Sequence, residues 1–98
     1  MNKDSDISIK FLLIVGANIK KKRREKQLTL EQLGLEIGLT RMQVHRIESG
    51  YNITLTTLIK IAIVLGLKPE NLVKTEFKFK KEDLERLVNQ SKSNQKNK

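Results

Sequence analysis

Two phrases built alike, T-L-E-Q at 29–32 and T-R-M-Q at 40–43, constrain this chain more than anything else in it. In each, a threonine hydroxyl is placed to accept from the backbone N–H three residues on, while the glutamine there reaches back to the threonine's own N–H. That reciprocal capping box marks the start of a helix. The second box opens only two residues after Gly38, where glycine suits a helix stop. The pattern therefore predicts two short helices joined by a tight turn at Gly38 and Leu39. The first is about two turns long with Leu30, Leu33 and Ile37 as its apolar stripe. The second runs to about Glu48, with Gly50 as its stop.

The second helix divides its side chains sharply. At 3.6 residues per turn, Val44 and Ile47 fall on one side while Arg41, Met42, His45 and Arg46 gather on the other. One face can be held by a core, and the opposite face is left to meet a partner.

Around this pair the chain reads as further helices. Phe11, Val15, Ile19 and Arg23 recur every four residues with Leu12 beside them, which predicts a long amphipathic helix ending near Lys26. Its last turns, K-K-K-R-R, complement the helix dipole, and are either a solvated helix end or a grip on phosphates. After the polar loop Y-N-I, Thr54 caps a fourth helix in which Leu55, Leu58, Ile61, Ala62 and Leu65 keep helical spacing up to Gly66. This is expected to be the most buried helix. Pro69 suits the first turn of a brief fifth one, P-E-N-L-V.

Beyond Lys74 the period changes. T-E-F-K-F-K at 75–80 alternates phenylalanine with lysine, a strand signal in a stretch that would need a pairing partner. K-K-E-D-L-E-R-L-V-N-Q then offers one more helix presenting Leu84, Leu87 and Val88, and S-K-S-N-Q-K-N-K at 91–98 is expected to be a disordered basic tail. The expected organisation is an arm and helix start over 1–10, a domain over 11–74, an extension over 75–90 and the tail.

Composition narrows what such a domain can do. At 98 residues and 38% apolar the chain supports one core. The net charge is +9, split as +5 over residues 1–73 and +4 over 74–98, so the basic balance belongs to the folded part as well as the tail. Charge of this sign favours a polyanionic partner. There is no cysteine and only one histidine, which leaves no metal-ligand set, no thiol nucleophile and nothing resembling a catalytic constellation. No metal, cofactor or enzymatic activity is expected. No apolar run approaches the roughly 20 residues a membrane helix needs, and a cytoplasmic location is expected. A membrane-surface role fits poorly, because the cations at 20–26 sit at a helix end rather than along the polar face of a long amphipathic helix.

Two short helices around a glycine-containing turn, the second showing polar side chains outward, is the layout of a helix-turn-helix DNA reader. The outer face must supply donors and acceptors to base edges while the inner face fastens the helix to its domain. The sequence resembles the Cro and phage-repressor type of helix-turn-helix regulators, the XRE family, over about residues 12–73. Gly16, Ile19 and Arg23 match its first helix, L-T-L-E-Q-L-G-L-E-I-G-L-T-R-M-Q-V-H-R-I-E-S-G its central motif, and T-L-T-T-L-I-K-I-A-I-V-L-G the helix that follows.

The resemblance implies an all-α, five-helix domain with a short C-terminal extension. It also implies a bacterial or phage transcriptional regulator, repressor-type, binding a palindromic double-stranded operator as a homodimer. It implies base-edge contacts for Arg41, Met42 and Arg46, with His45 beside them. Arginine suits guanine O6 and N7, and methionine suits a thymine methyl. Met42 as a core or dimer residue, and His45 as a merely tolerated imidazole, are the competing readings. Phosphate contacts are implied for Thr29, Thr40 and Gln43, with Lys20, Lys21, Lys22, Asn52 and Thr54 as further candidates. Arg23 and Glu48 match an ion pair tying the first helix to the end of the reading helix, against the alternative of two separate surface charges.

Three positions depart from the family pattern. Leu30 stands where glutamine is common, Gly34 where alanine is usual and Ile53 where many relatives have proline. The dimer surface is expected in the C-terminal segment, with Ile7, Ile9 and Phe11 as the alternative. A rival reading of the whole chain is an antitoxin or adaptor that binds a protein through that segment.

Overall fold

The computed structural model describes residues 7–96, all-helical, with six helices and no strand among them. Helix α1 spans Ile7–Glu25, α2 Leu30–Ile37, α3 Arg41–Glu48, α4 Leu55–Leu65, α5 Pro69–Leu72 and α6 Lys81–Lys96. Residues 1–6 of the expected arm and helix start at 1–10, and the last two residues of the expected tail, lie outside the described residues.

Both capping boxes form. Thr29 Oγ1 accepts from the Gln32 N–H at 3.0 Å and Gln32 Oε1 accepts from the Thr29 N–H at 2.8 Å. Thr40 and Gln43 repeat the exchange at 3.1 and 2.8 Å. Between them Gly38 adopts φ 77°, a left-handed stop that few side chains tolerate, and the Leu39 N–H donates to the Gly34 carbonyl at 2.9 Å. Helix α3 ends at Glu48 with Ser49 as its cap, and Gly50, at φ 102°, turns the chain away.

The core is a single cluster. Val15 and Ile19 of α1, Leu33 and Ile37 of α2, Val44 and Ile47 of α3, Leu58, Ile61, Ala62 and Leu65 of α4, and Leu72 of α5 are all buried in it. Gly16 lets α1 cross the end of α3 closely, since a Cβ there would lie 2.6 Å from the Glu48 carbonyl oxygen and 2.7 Å from that of Ile47. Gly34 does the same at the turn, where a Cβ would lie 2.5 Å from the Leu39 carbonyl oxygen. The departure from alanine at this position thus has a steric cause in this chain.

Three expectations need correction. Residues 75–80 form no strand, because no second extended segment is present among the described residues to pair with them. Instead Phe77 and Phe79 meet edge to face at 4.9 Å, and Phe79 meets Phe11 of α1 at 5.8 Å. The tail is helical as far as Lys96, since no glycine or proline interrupts the chain after Lys81. Leu55, read as part of the buried stripe of α4, is 77% exposed. That helix is apolar on nearly every side, so spacing alone could not tell its inner face from its outer one.

The C-terminal segment leaves the body under tight guidance. The Asn18 side-chain amide donates to the carbonyls of Leu72 and Lys74 at 3.0 and 3.1 Å, fixing the exit from α5 against α1. At the start of α6, Asp83 Oδ2 accepts from the Lys80 N–H at 2.8 Å, and Glu82 and Asp83 oppose the helix dipole. Beyond this start α6 makes at most marginal contact with the other helices.

Candidate nucleic-acid interface

Helix α3 is fastened to the domain by one side only. Val44, Ile47 and Glu48 are buried, whereas Arg41, Met42, Gln43, His45 and Arg46 are exposed. Met42 is 51% exposed and stands outside the core cluster, which removes its core reading. An α-helix with two cations, an imidazole and a thioether on a continuous outer face offers donors for base edges and apolar surface for a thymine methyl.

The helix is aimed by its end. Arg23 Nε donates to Glu48 Oε2 at 2.7 Å and Arg23 Nη2 to Glu48 Oε1 at 3.0 Å, a bidentate pair with side chains only 8% and 4% exposed. Arg23 Nη1 donates to the Leu28 carbonyl at 2.7 Å. One guanidinium therefore ties together the last turn of α1, the strip of chain leading into α2, and the last turn of α3. The reading of two separate surface charges fails, because both groups are inside and paired.

The groups assigned to phosphates occupy a different setting. Thr29, Thr40 and Gln43 are exposed at helix N-termini, with their hydroxyls and the Gln43 carbonyl oxygen already engaged in caps. What they leave for an anion is the helix-end N–H groups and the amide nitrogen of Gln43. Asn52 Oδ1 accepts from the Ile53 N–H, and Thr54 Oγ1 both accepts from the Thr57 N–H and donates to Thr57 Oγ1, so these two shape the loop leading into α4. On α1, Lys20 and Lys21 are exposed beside Ala17, Arg24 and Glu25, while Lys22 is half-buried and lies 3.5 Å from Glu25.

One exposed group at this end of the molecule escaped the sequence reading. Tyr51 is 60% exposed immediately after α3, and its N–H donates to the Arg46 carbonyl at 3.0 Å. The signal was available, since it is the chain's lone tyrosine and follows Gly50 directly. Among the described residues no cluster of three histidine, cysteine or acidic side chains could hold a metal ion, and no helix is long and apolar enough to cross a membrane.

The family model described as helix-turn-helix matches residues 19–72. The restriction-modification controller protein C.AhdI from Aeromonas hydrophila is 32% identical over a match covering 62% of this chain and 94% of that one, with a TM-score of 0.60. The hypothetical transcription factor NHTF from Neisseria is 26% identical over 80% of this chain and 83% of that one, with a TM-score of 0.63. No curated protein sequence matches the chain.

Proposed function

The chain belongs to the helix-turn-helix family of the Cro and repressor type, a family of DNA-binding domains and not of enzymes, and from that membership we propose a specific reading. It is a transcriptional regulator that binds a palindromic duplex operator as a homodimer and reads the major groove through α3. The observation that carries this is the one-sided burial of α3, whose outer face is Arg41, Met42, His45 and Arg46.

In this reading Arg41 and Arg46 donate to guanine edges, Met42 packs on a thymine methyl, and His45 sits beside them. The N-termini at Thr29 and Thr40, with Gln43, Asn52 and Thr54, approach phosphates, and Lys20, Lys21 and Lys22 add electrostatic attraction. The positive charge of the chain supports such a partner. Two copies are required by reach. An eight-residue helix is roughly 12 Å long, about the rise of three or four base pairs. A two-fold dimer sets a second reading helix about 34 Å away, one turn of the duplex.

The similarity to a controller protein and a transcription factor supports regulation of transcription as the purpose of binding. Selection from random duplexes at physiological salt tests the reading: enrichment of a palindromic site supports it, and no enrichment over the starting pool sinks it. A second reading, docking to another protein through the C-terminal segment, is favoured by the exposed Leu84 and Val88 of α6. Failure to enrich any duplex would move the weight there.

A further inference from the structure

Helix α4 presents a second apolar face that nothing among the described residues covers. Leu58, Ile61, Ala62 and Leu65 point into the core, yet on the other side Leu55, Ile59 and Ile63 stand 77%, 47% and 71% exposed. They follow one another at four-residue intervals, so they form a single ridge along the helix. Scattered exposed leucines call for no explanation, but a continuous aliphatic row does.

We propose that the Leu55, Ile59 and Ile63 ridge of α4 is the surface through which two copies of this chain pair, about a two-fold axis passing near Ile59. The inference rests on the dimeric reading above and specifies its interface.

Three observations select a second copy of the chain as the occupant. The first is symmetry. A row with Ile59 at its centre and large aliphatic residues four positions to either side is self-complementary when reversed, so Leu55 of one copy meets Ile63 of the other. Rows at i±4 interdigitate with each other at a crossing of about 50°.

Charge is the second. The chain carries +9, so two copies repel each other overall, but α4 contains one charged residue, Lys60, set one position off the ridge. Its long stem lets the ammonium stay in water at the rim.

The third is composition together with rigidity. Three exposed aliphatic side chains from each copy, with Thr56 and Lys60 along one margin, supply the apolar centre that a pairing surface needs within a polar rim. Because four core residues fix α4 from behind, the ridge is presented already ordered. Helix α6 offers Leu84, Leu87 and Val88 among Glu82, Asp83, Glu85 and Arg86, and makes at most marginal contact with the body that could hold it in place. Pairing there would have to order the helix as well as join it.

Sedimentation equilibrium of the full chain, with and without its selected duplex, is the test. The wild type should dimerise. Ile59→Glu should weaken dimerisation at least about 100-fold while leaving the circular-dichroism melt of the monomer unchanged, since Ile59 takes no part in the core. Leu84→Glu should leave dimerisation intact. Should Ile59→Glu disturb the fold, Ile59→Ala serves instead, with an expected weakening of about 10-fold or more. A wild type that dimerises together with an Ile59 variant that dimerises equally well overturns this interface and leaves the dimeric reading standing. Loss of pairing in Leu84→Glu alone assigns the interface to α6 and overturns it too. A wild type that stays monomeric on and off the duplex overturns the dimeric reading itself.

Discussion

The guanidinium of Arg23 holds the carboxylate of Glu48 through two hydrogen bonds, 2.7 Å and 3.0 Å long, inside the domain. Removing one partner strands the other charge in the core, and that loss exceeds anything a surface pair could cost. Glu48→Ala should therefore destabilise the fold by about 3–5 kcal/mol in urea denaturation. A midpoint equal to that of the wild type would contradict the buried pair.

The close approach at Gly34 predicts a penalty for the residue its relatives use. Gly34→Ala places a methyl 2.5 Å from the Leu39 carbonyl oxygen, so the turn must open. The expected loss is about 1–3 kcal/mol, read as a fall in melting temperature of roughly 4–8 °C per kcal/mol. Gly38→Ala meets no atom within 4 Å and suffers only from its left-handed φ of 77°, a loss of about 1–2 kcal/mol. Equal stability of Gly34→Ala and wild type would show that the helices separate freely here.

The arginines on the outer face of α3 should act on sequence. Arg46→Ala, and separately Arg41→Ala, should each lose about 1–3 kcal/mol on the preferred site and relax selection at one base-pair position. Titration against a panel of single-base variants checks this. A uniform loss across the panel would make them phosphate ligands.

The lysines at the end of α1 should act on salt. Replacing Lys20, Lys21 and Lys22 with alanine should weaken binding to every duplex and flatten the log affinity against log salt plot by about 0.9 for each phosphate that is no longer neutralised. The three need not contribute alike, because Lys22 already lies 3.5 Å from Glu25. An unaltered slope would identify the cluster as a solvated helix end.

The caps should be measurable one by one. Thr40→Ala removes an acceptor from the Gln43 N–H at the start of α3, at a cost of about 1 kcal/mol. A hydrogen-exchange rise confined to the first turn of α3 would accompany it. No change at those amides would mean that packing alone holds the helix start.

What the sequence made legible follows from how local each signal is. The α2 and α3 boundaries rest on side chains three residues apart, and both boxes form where T-L-E-Q and T-R-M-Q place them. The two faces of α3 follow from helical spacing alone. Arg23 and Glu48 are 25 positions apart, and only the resemblance to a family brought them together; spacing gave no hint of it. Elsewhere the information was not local. The alternation at Phe77 and Phe79 has the period of a strand, yet a strand needs a neighbour, and the rings pack on each other and on Phe11 instead. Helix α4 is apolar on both sides, so which leucine turns outward depends on where α1, α2 and α5 sit. The same ambiguity hid the Leu55, Ile59 and Ile63 ridge.

The turn at Gly34 and Leu39 also sets a dimension. Helix α2 touches the turn that leads into α3 there through backbone, with nothing larger than a hydrogen atom on the glycine side. The offset between the N-terminus of one and the outer face of the other is therefore gauged by the smallest spacer a protein possesses. In the proposed reading, a duplex gripped at both places must match this gauge, so the groove geometry a site can adopt becomes a criterion of recognition alongside its bases.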